Sequence, residues 1–414
     1  MSGTSARPAI AAAVEKLRDP ATIRTRCAQL RAEVAAGRST WFTLDESRLS
    51  RAAERVEQVT RQRYPTLAIP YHSRWRHFEA GDVDRNAGLQ RALARADTAE
   101  QARCRIDLAV VSVLLDAGAG AAWKYVESES GKTFARSEGL GVASLRAFQR
   151  GVFSSDHNRP LRVDGQQLSM IDASTLAGVF QVNADNPLVG LEGRTAVLRR
   201  LGAALLAQPE AFGSEARPGC LFDLLAGRGA RREVRAASIL RALLDHGSSI
   251  WLTPSNLNGE PLGDAWRHPA ARDNDESAGW VPFHKLSQWL TYSLFEPFEW
   301  AGVTVSERDA LTALPEYRNG GLLLDTGVLV PRDPRMLRAT WQAGDEPIVE
   351  WRALTVSLID ELATLVRQRL ARSVQQMPLA CVLEGGTWAA GRILAQELRG
   401  GLPPLDIASD GTVF

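Results

Sequence analysis

Seven apolar residues near the C-terminal end, Leu354, Leu358, Ile359, Leu362, Leu365, Val366 and Leu370, recur at intervals of three and four and so specify one long amphipathic helix. A stripe of that length needs partner helices to cover it, and the same spacing recurs along the chain. Leu49, Ala52, Val56 and Val59 repeat it behind Thr43-Leu44-Asp45-Glu46, which reads as a capping box, and Pro65 stops it. The apolar run from Ile106 ends in Gly118 and Gly120, as a buried helix would. Helices are expected over 43–63, 103–117, 140–150, 190–208, 234–246, 283–296 and 350–372. Strand signals are short: Ile250 to Thr253 ahead of Asn256-Leu257-Asn258-Gly259, Val303 to Val305, and Ile407 to Phe414 around Asp410-Gly411. The expected class is mainly α, a helical body with a few short β-ribbons. With no internal repeat, low-complexity tract or flexible linker, residues 1–414 read as a single composite helical domain, with Pro254 to Gly279 as its longest loop.

Charge narrows the partners. Lys+Arg 49 against Asp+Glu 48 leaves a formal charge of +1, so no footprint for a nucleic-acid backbone is visible. Cys27, Cys104, Cys220 and Cys381 lack any Cys-x-x-Cys spacing and fit buried thiols in a reducing compartment. The first helix is too charged for a signal peptide and the most apolar stretch is too short for a membrane span, so a cytoplasmic protein is expected.

The chemistry-bearing residues concentrate in two segments, Phe283-His284-Lys285-Leu286-Ser287-Gln288 and Leu314-Pro315-Glu316-Tyr317-Arg318-Asn319-Gly320-Gly321. On a helix, Gln288, Tyr292 and Glu296 fall in one quadrant around Lys285, which makes either a reactive polar face or a solvated one. Leu314-Pro315 followed by Gly320-Gly321 reads as a tight turn leading into a buried helix. Glu316 and Arg318 lie in that turn as a reactive carboxylate and its partner, or as a helix cap beside a structural arginine. Asp325, further on, pairs with Arg318 or faces solvent. In Tyr71-His72-Ser73-Arg74-Trp75-Arg76-His77, the spacing of five between His72 and His77 is poor for a metal, and no metal site is expected. Arg74 and Arg76 alternate with Trp75, so in extended geometry both guanidinium groups point to one side, toward a phosphate or sugar or toward salt-bridge partners. Glu384-Gly385-Gly386-Thr387-Trp388 lacks the spacing of a phosphate loop.

These segments, with Leu115-Asp116-Ala117-Gly118-Ala119-Gly120, Asn186-Pro187-Leu188-Val189-Gly190-Leu191-Glu192-Gly193-Arg194 and the C-terminal Ser409-Asp410-Gly411-Thr412-Val413-Phe414, resemble from end to end a family of unknown-function proteins that includes a component of the URC uracil-catabolism pathway. Across roughly Asn186 to Arg352 the pattern is also similar to queuosine-nucleotide N-glycosylases, helical proteins like helix-hairpin-helix DNA glycosylases. The matching residues are Pro187-Leu188-Val189 with Arg194, Phe283-His284-Lys285 with Gln288, Glu316-Tyr317-Arg318, and Glu350 with Arg352. Glu316 stands where those enzymes carry aspartate, and His284 where they carry tyrosine.

The resemblance implies a hydrolase of an N-ribosidic bond that needs no cofactor and acts on a small ribosyl substrate, ribosylurea or its 5′-phosphate, with urea leaving. Cleavage builds positive charge on C1 and negative charge on the departing nitrogen. The expected roles are Glu316 as the carboxylate near C1, with Lys285 orienting it or binding the substrate. Tyr317, Arg318, Gln288, Glu350, Arg352, Arg194, Arg74 and Arg76 would serve as substrate-binding residues. The alternative is an inert binding or regulatory protein of uracil catabolism on a glycosylase-like fold.

Overall fold

The computed structural model describes residues 3–408, with side chains from residue 7 onward. The protein is mainly α, and among the described residues its strands form six two-stranded ribbons. Chain contacts divide it into two compact units. The first is built from Met1–His72, Ser255–Gln288 and Arg308–Ala408, and the second takes Ser73–Pro254 and Trp289–Glu307.

The helix Glu346–Leu370 is the axis of the first unit, and the helices Pro20–Ala35 and Leu49–Arg63 pack along it. Its stripe is the one visible in the sequence: Leu354, Leu358, Ile359, Leu362, Val366 and Leu370 are buried, each contributing about 1.5–3 kcal/mol by removal from water. The N-terminal helix Gly3–Leu17 seats Ala13, Val14 and Leu17 against Leu257, Leu262, Ala265 and Trp280. The long 254–279 segment is thus not a bare loop. Asn256–Leu257 and Glu260–Pro261 form a hairpin across Asn258 and Gly259, both at positive φ, and Ala265–Arg267 pairs with Trp280–Pro282.

Three local expectations give way to tertiary contacts. Thr43 does not open a capping box: Phe42–Leu44 is a strand paired antiparallel with Leu329–Pro331, and the helix begins only at Leu49. Gly320 and Gly321 do not end a turn but lie inside the helix Tyr317–Asp325, where a Cβ on Gly320 would sit 2.6 Å from the Trp351 indole. Ile250 to Thr253 is not a strand, whereas Thr304–Ser306 is, paired in parallel with Glu233–Arg235. At the C-terminal end Asp406–Ile407 pairs with Thr340–Trp341, and the residues after 408 lie outside those described.

In the second unit the helix Thr98–Leu114 starts at Asp97, whose carboxylate accepts from the Glu100 N–H, and is buried from Arg105 to Leu114. Its buried carboxylate, Asp107, accepts from Arg217, the Gly219 N–H and the Val163 N–H, so that charge is not left unpaired. No helix among the described residues is long and apolar enough to cross a membrane.

Candidate functional site

The helix Tyr317–Asp325 begins at Glu316, whose two carboxylate oxygens accept from the Arg318 and Asn319 N–H groups at 2.9 and 2.6 Å. Glu316 is therefore the N-cap, with each oxygen keeping a further acceptor lone pair. One residue on, the Arg318 side chain is 8% exposed and lies 4.1 Å from the centre of the Trp388 ring and 5.2 Å from that of Tyr317. Its Nε donates to the Tyr317 hydroxyl at 2.8 Å. Its Nη1 is buried without any hydrogen-bond partner, and among the described residues no carboxylate pairs with it. Asp325 does not neutralise it, being taken by Arg399 through two 2.7 Å bonds.

Trp388 reaches Arg318 because the C-terminal helices make room. Leu379–Val382 runs into a π-helical turn, Leu383–Thr387, and on into Trp388–Arg399. Gly391 lies against the Arg318 carbonyl where a Cβ has no space, and a Cβ on Gly386 would sit 2.7 Å from Val56. Such a π turn widens the backbone ring and weakens local carbonyl pairing. Arg63 covers the carbonyls of Glu384 and Gly385.

The same turn presents Glu384 to three donors: Arg63 Nη2 at 2.8 Å, the Tyr64 hydroxyl at 2.9 Å and His72 Nδ1 at 2.9 Å. Burial pushes the Glu384 carboxyl up, but His72 and Arg63 outweigh it and hold the group at about 2. The His72 ring lies 6.1 Å from that of Trp388. A carboxylate-bound histidine, an unneutralised arginine and Arg392 thus share contact with one indole. Three buried polar atoms without partners mark the same place: Arg318 Nη1, Asn319 Oδ1 and Thr387 Oγ1. In the sequence His72 reads as a poor metal ligand and Glu384 as part of a stretch without phosphate-loop spacing. The readable signal was the spacing of four that puts Glu384, Trp388 and Arg392 on one helix side.

The other expected site residues are placed as follows. Gln288 is buried, donating to Phe283 O and Thr312 Oγ1 and accepting from the Thr312 N–H, so it ties the start of helix Lys285–Trp300 to the irregular segment leading into Glu316. The Lys285 N–H donates to Asp264 at 2.9 Å. Arg352 clasps the same Asp264 through bonds of 2.8 and 2.7 Å and stacks on Phe283. Burial raises the Asp264 carboxyl and Arg352 brings it down to about 2. Glu350 accepts from Ser39 at 2.5 Å with His268 Nε2 at 3.6 Å. Glu350 and Arg352 serve the packing of the long helix.

Three expected residues belong to the second unit. Arg194 spends its donors on the carbonyls of Leu115, Ala117, Gly118 and Val189, closing the end of helix Thr98–Leu114. Arg74 and Arg76 are not extended: they open a 3-10 segment, Arg74–Asp82. Arg74 is fully buried on Ser112 and Asp116 and faces the Trp289 ring, while Arg76 pairs with Glu296 at 2.7 Å. The quadrant around Lys285 is not solvated, since Gln288, Tyr292 and Glu296 are all buried. This unit also bears an open crevice of about 740 Å³ lined by Glu100, Arg103, Glu215, Arg217, Cys220 and Asp223. Its arginines are paired with its own carboxylates, which leaves little charge for a ligand.

Burial of Glu296, against the opposing pull of Arg76 and Ser73, raises its carboxyl to about 7. Between its ordinary value of 4.5 and about 7 the folded state binds the extra proton, so this group's contribution to stability is largest below that window and falls as pH rises through it. The thermal midpoint, followed by calorimetry, should therefore decline less across that window in Glu296→Gln than in the wild type.

An arginine centre walled by aromatic rings, set between a capped helix and a π turn in a mainly α body, defines the class. Over residues 16–414 the chain matches the family described as "Protein of unknown function (DUF1688)", and it belongs to that family. It is 39% identical over 411 residues to "Uracil catabolism protein 4" of Lachancea kluyveri, covering 91% of this chain and 93% of the relative. It is 40% identical over 384 residues to "Protein urg3" of Schizosaccharomyces pombe, covering 90% and 92%.

Proposed function

We propose that the protein acts in uracil catabolism as a hydrolase of an N-ribosidic bond, taking ribosylurea or its 5′-phosphate and releasing urea. The Lachancea relative's name supports the pathway. The observation that carries the site is Arg318, a buried guanidinium between two rings with one nitrogen unpartnered. A cation held this way without a counter-charge costs several kcal/mol of desolvation, and an anionic group on the substrate would offset it while Tyr317 and Trp388 bracket the sugar. Glu316, fixed in direction by its two N–H donors, would face the positive charge at C1, and Lys285 would stand on the neighbouring segment that Gln288 ties down.

Incubating the purified protein with ribosylurea, ribosylurea 5′-phosphate and UMP, and measuring urea and free ribose or ribose phosphate, tests this. Urea release is expected, fastest from the phosphorylated compound, and its absence from every substrate overturns the reading. A second reading, inert binding, is favoured by the engagement of both Glu316 oxygens in capping the helix. Saturable binding of the phosphorylated compound without turnover would establish it.

A further inference from the structure

We propose that His72 is the proton donor to the leaving nitrogen, with Glu384 as its positioning residue; this rests on the N-ribosidic reading of the same site. The two side chains come from opposite ends of the chain and meet in the buried interior of the first unit. An ionised carboxylate can only accept, so the His72 Nδ1 facing it must carry the proton, and Nε2 is left as the nitrogen that gains and loses one. Nε2 has no hydrogen-bond partner among the described residues, and the ring leans on the indole that also carries Arg318.

The support around the pair is what a fixed donor requires. Glu384 is held by Arg63 and Tyr64 as well as by His72, so the carboxylate cannot swing away, and the His72 N–H donates to Ala380 O at 3.0 Å, which pins the backbone behind the ring. The π turn that aims Glu384 inward is built from two glycines packed on Thr60 and Val56. A purely structural ion pair would need Arg63 and Glu384 alone.

The step balances without a co-reactant other than water. The C1–N bond breaks with its electron pair remaining on nitrogen, the Nε2 proton of the imidazolium moves to that nitrogen, and water adds its oxygen to C1. The proton lost by that water returns to Nε2, restoring the imidazolium. One water is consumed, and C1–N becomes C1–OH and N–H.

Leaving-group dependence tests this in the full-length protein. His72→Gln and Glu384→Gln would be assayed on ribosylurea 5′-phosphate and on 4-nitrophenyl ribofuranoside 5-phosphate, whose departing phenolate needs no proton. His72→Gln is expected to lower kcat on the urea substrate by about 10²–10⁴-fold and to leave the nitrophenyl rate within a few-fold, with Glu384→Gln intermediate and shifted in its pH–rate profile. Equal losses on both substrates, or none on either, overturn the role of His72 while leaving the hydrolase reading standing. A wild type inactive on both overturns the two together. Should a variant fail to fold, the nitrogen-15 resonances of wild-type His72 decide: in the neutral ring a proton on Nδ1 supports the assignment, and one on Nε2 overturns it.

Discussion

Arg318→Met is expected to lower kcat/KM for a phosphorylated ribosyl substrate by about 100-fold or more while leaving the thermal midpoint unchanged or raising it. Truncating one side of a buried charge pair costs roughly 2–5 kcal/mol of binding. Among the described residues, by contrast, no partner carboxylate is orphaned by the change. Methionine keeps an unbranched apolar stem between Tyr317 and Trp388 and removes a cation whose burial is uncompensated. Opposite movement of activity and stability is the signature of a residue retained for ligand binding. A fall in midpoint with KM unchanged would instead make Arg318 part of the packing. Steady-state kinetics and calorimetry on one preparation separate the two.

The Asp264–Arg352 pair should behave in the reverse way. Both partners are buried, Asp264 accepts as well from the Lys285 N–H and the Trp266 indole, and Arg352 leaves the second turn of helix Glu346–Leu370. Arg352→Met strands a carboxylate and should cost about 3–5 kcal/mol of folding free energy. Asp264→Asn combined with Arg352→Met should recover part of that loss, because the stranded charge is then gone. A denaturant double-mutant cycle reads the coupling, and additivity of the two changes would show that the pair contributes nothing as a pair.

These contrasting roles show how much was legible in the chain. Helix positions were, because the three-and-four spacing of Leu354 to Leu370 reports burial directly and tertiary contacts confirm it. Boundaries failed where a distant partner intervened: Thr43 has capping chemistry, but its backbone is paired with Val330. Gly320 looked like punctuation and is instead the gap into which Trp351 fits. The arginine and carboxylate types at the site were also visible, yet which were free was not. Arg194, Arg318 and Arg352 look alike in a sequence, and only the fold reveals that the first is spent on carbonyls, the third on Asp264, and the second on nothing charged among the described residues. His72 and Glu384 carry no shared spacing at all, so their meeting belongs wholly to the long-range fold.

The first unit is assembled from three separated stretches, with Phe42 paired to Pro331 and Arg63 to Glu384. On the ribosome the helices Pro20–Ala35 and Leu49–Arg63 would therefore emerge with their apolar faces uncovered and wait until the axis helix Glu346–Leu370 arrives. Most of the second unit is one continuous run, yet its strand Glu233–Arg235 also waits for Thr304–Ser306. Closing such distant pairings sets a high entropic threshold for the folding transition state. Emergence of the segment Glu346–Leu370, more than local helix propensity, then governs when the first unit can form, and a stop codon shortly before Glu346 would leave Leu30, Val56 and their neighbours as sticky surface for chaperones to hold.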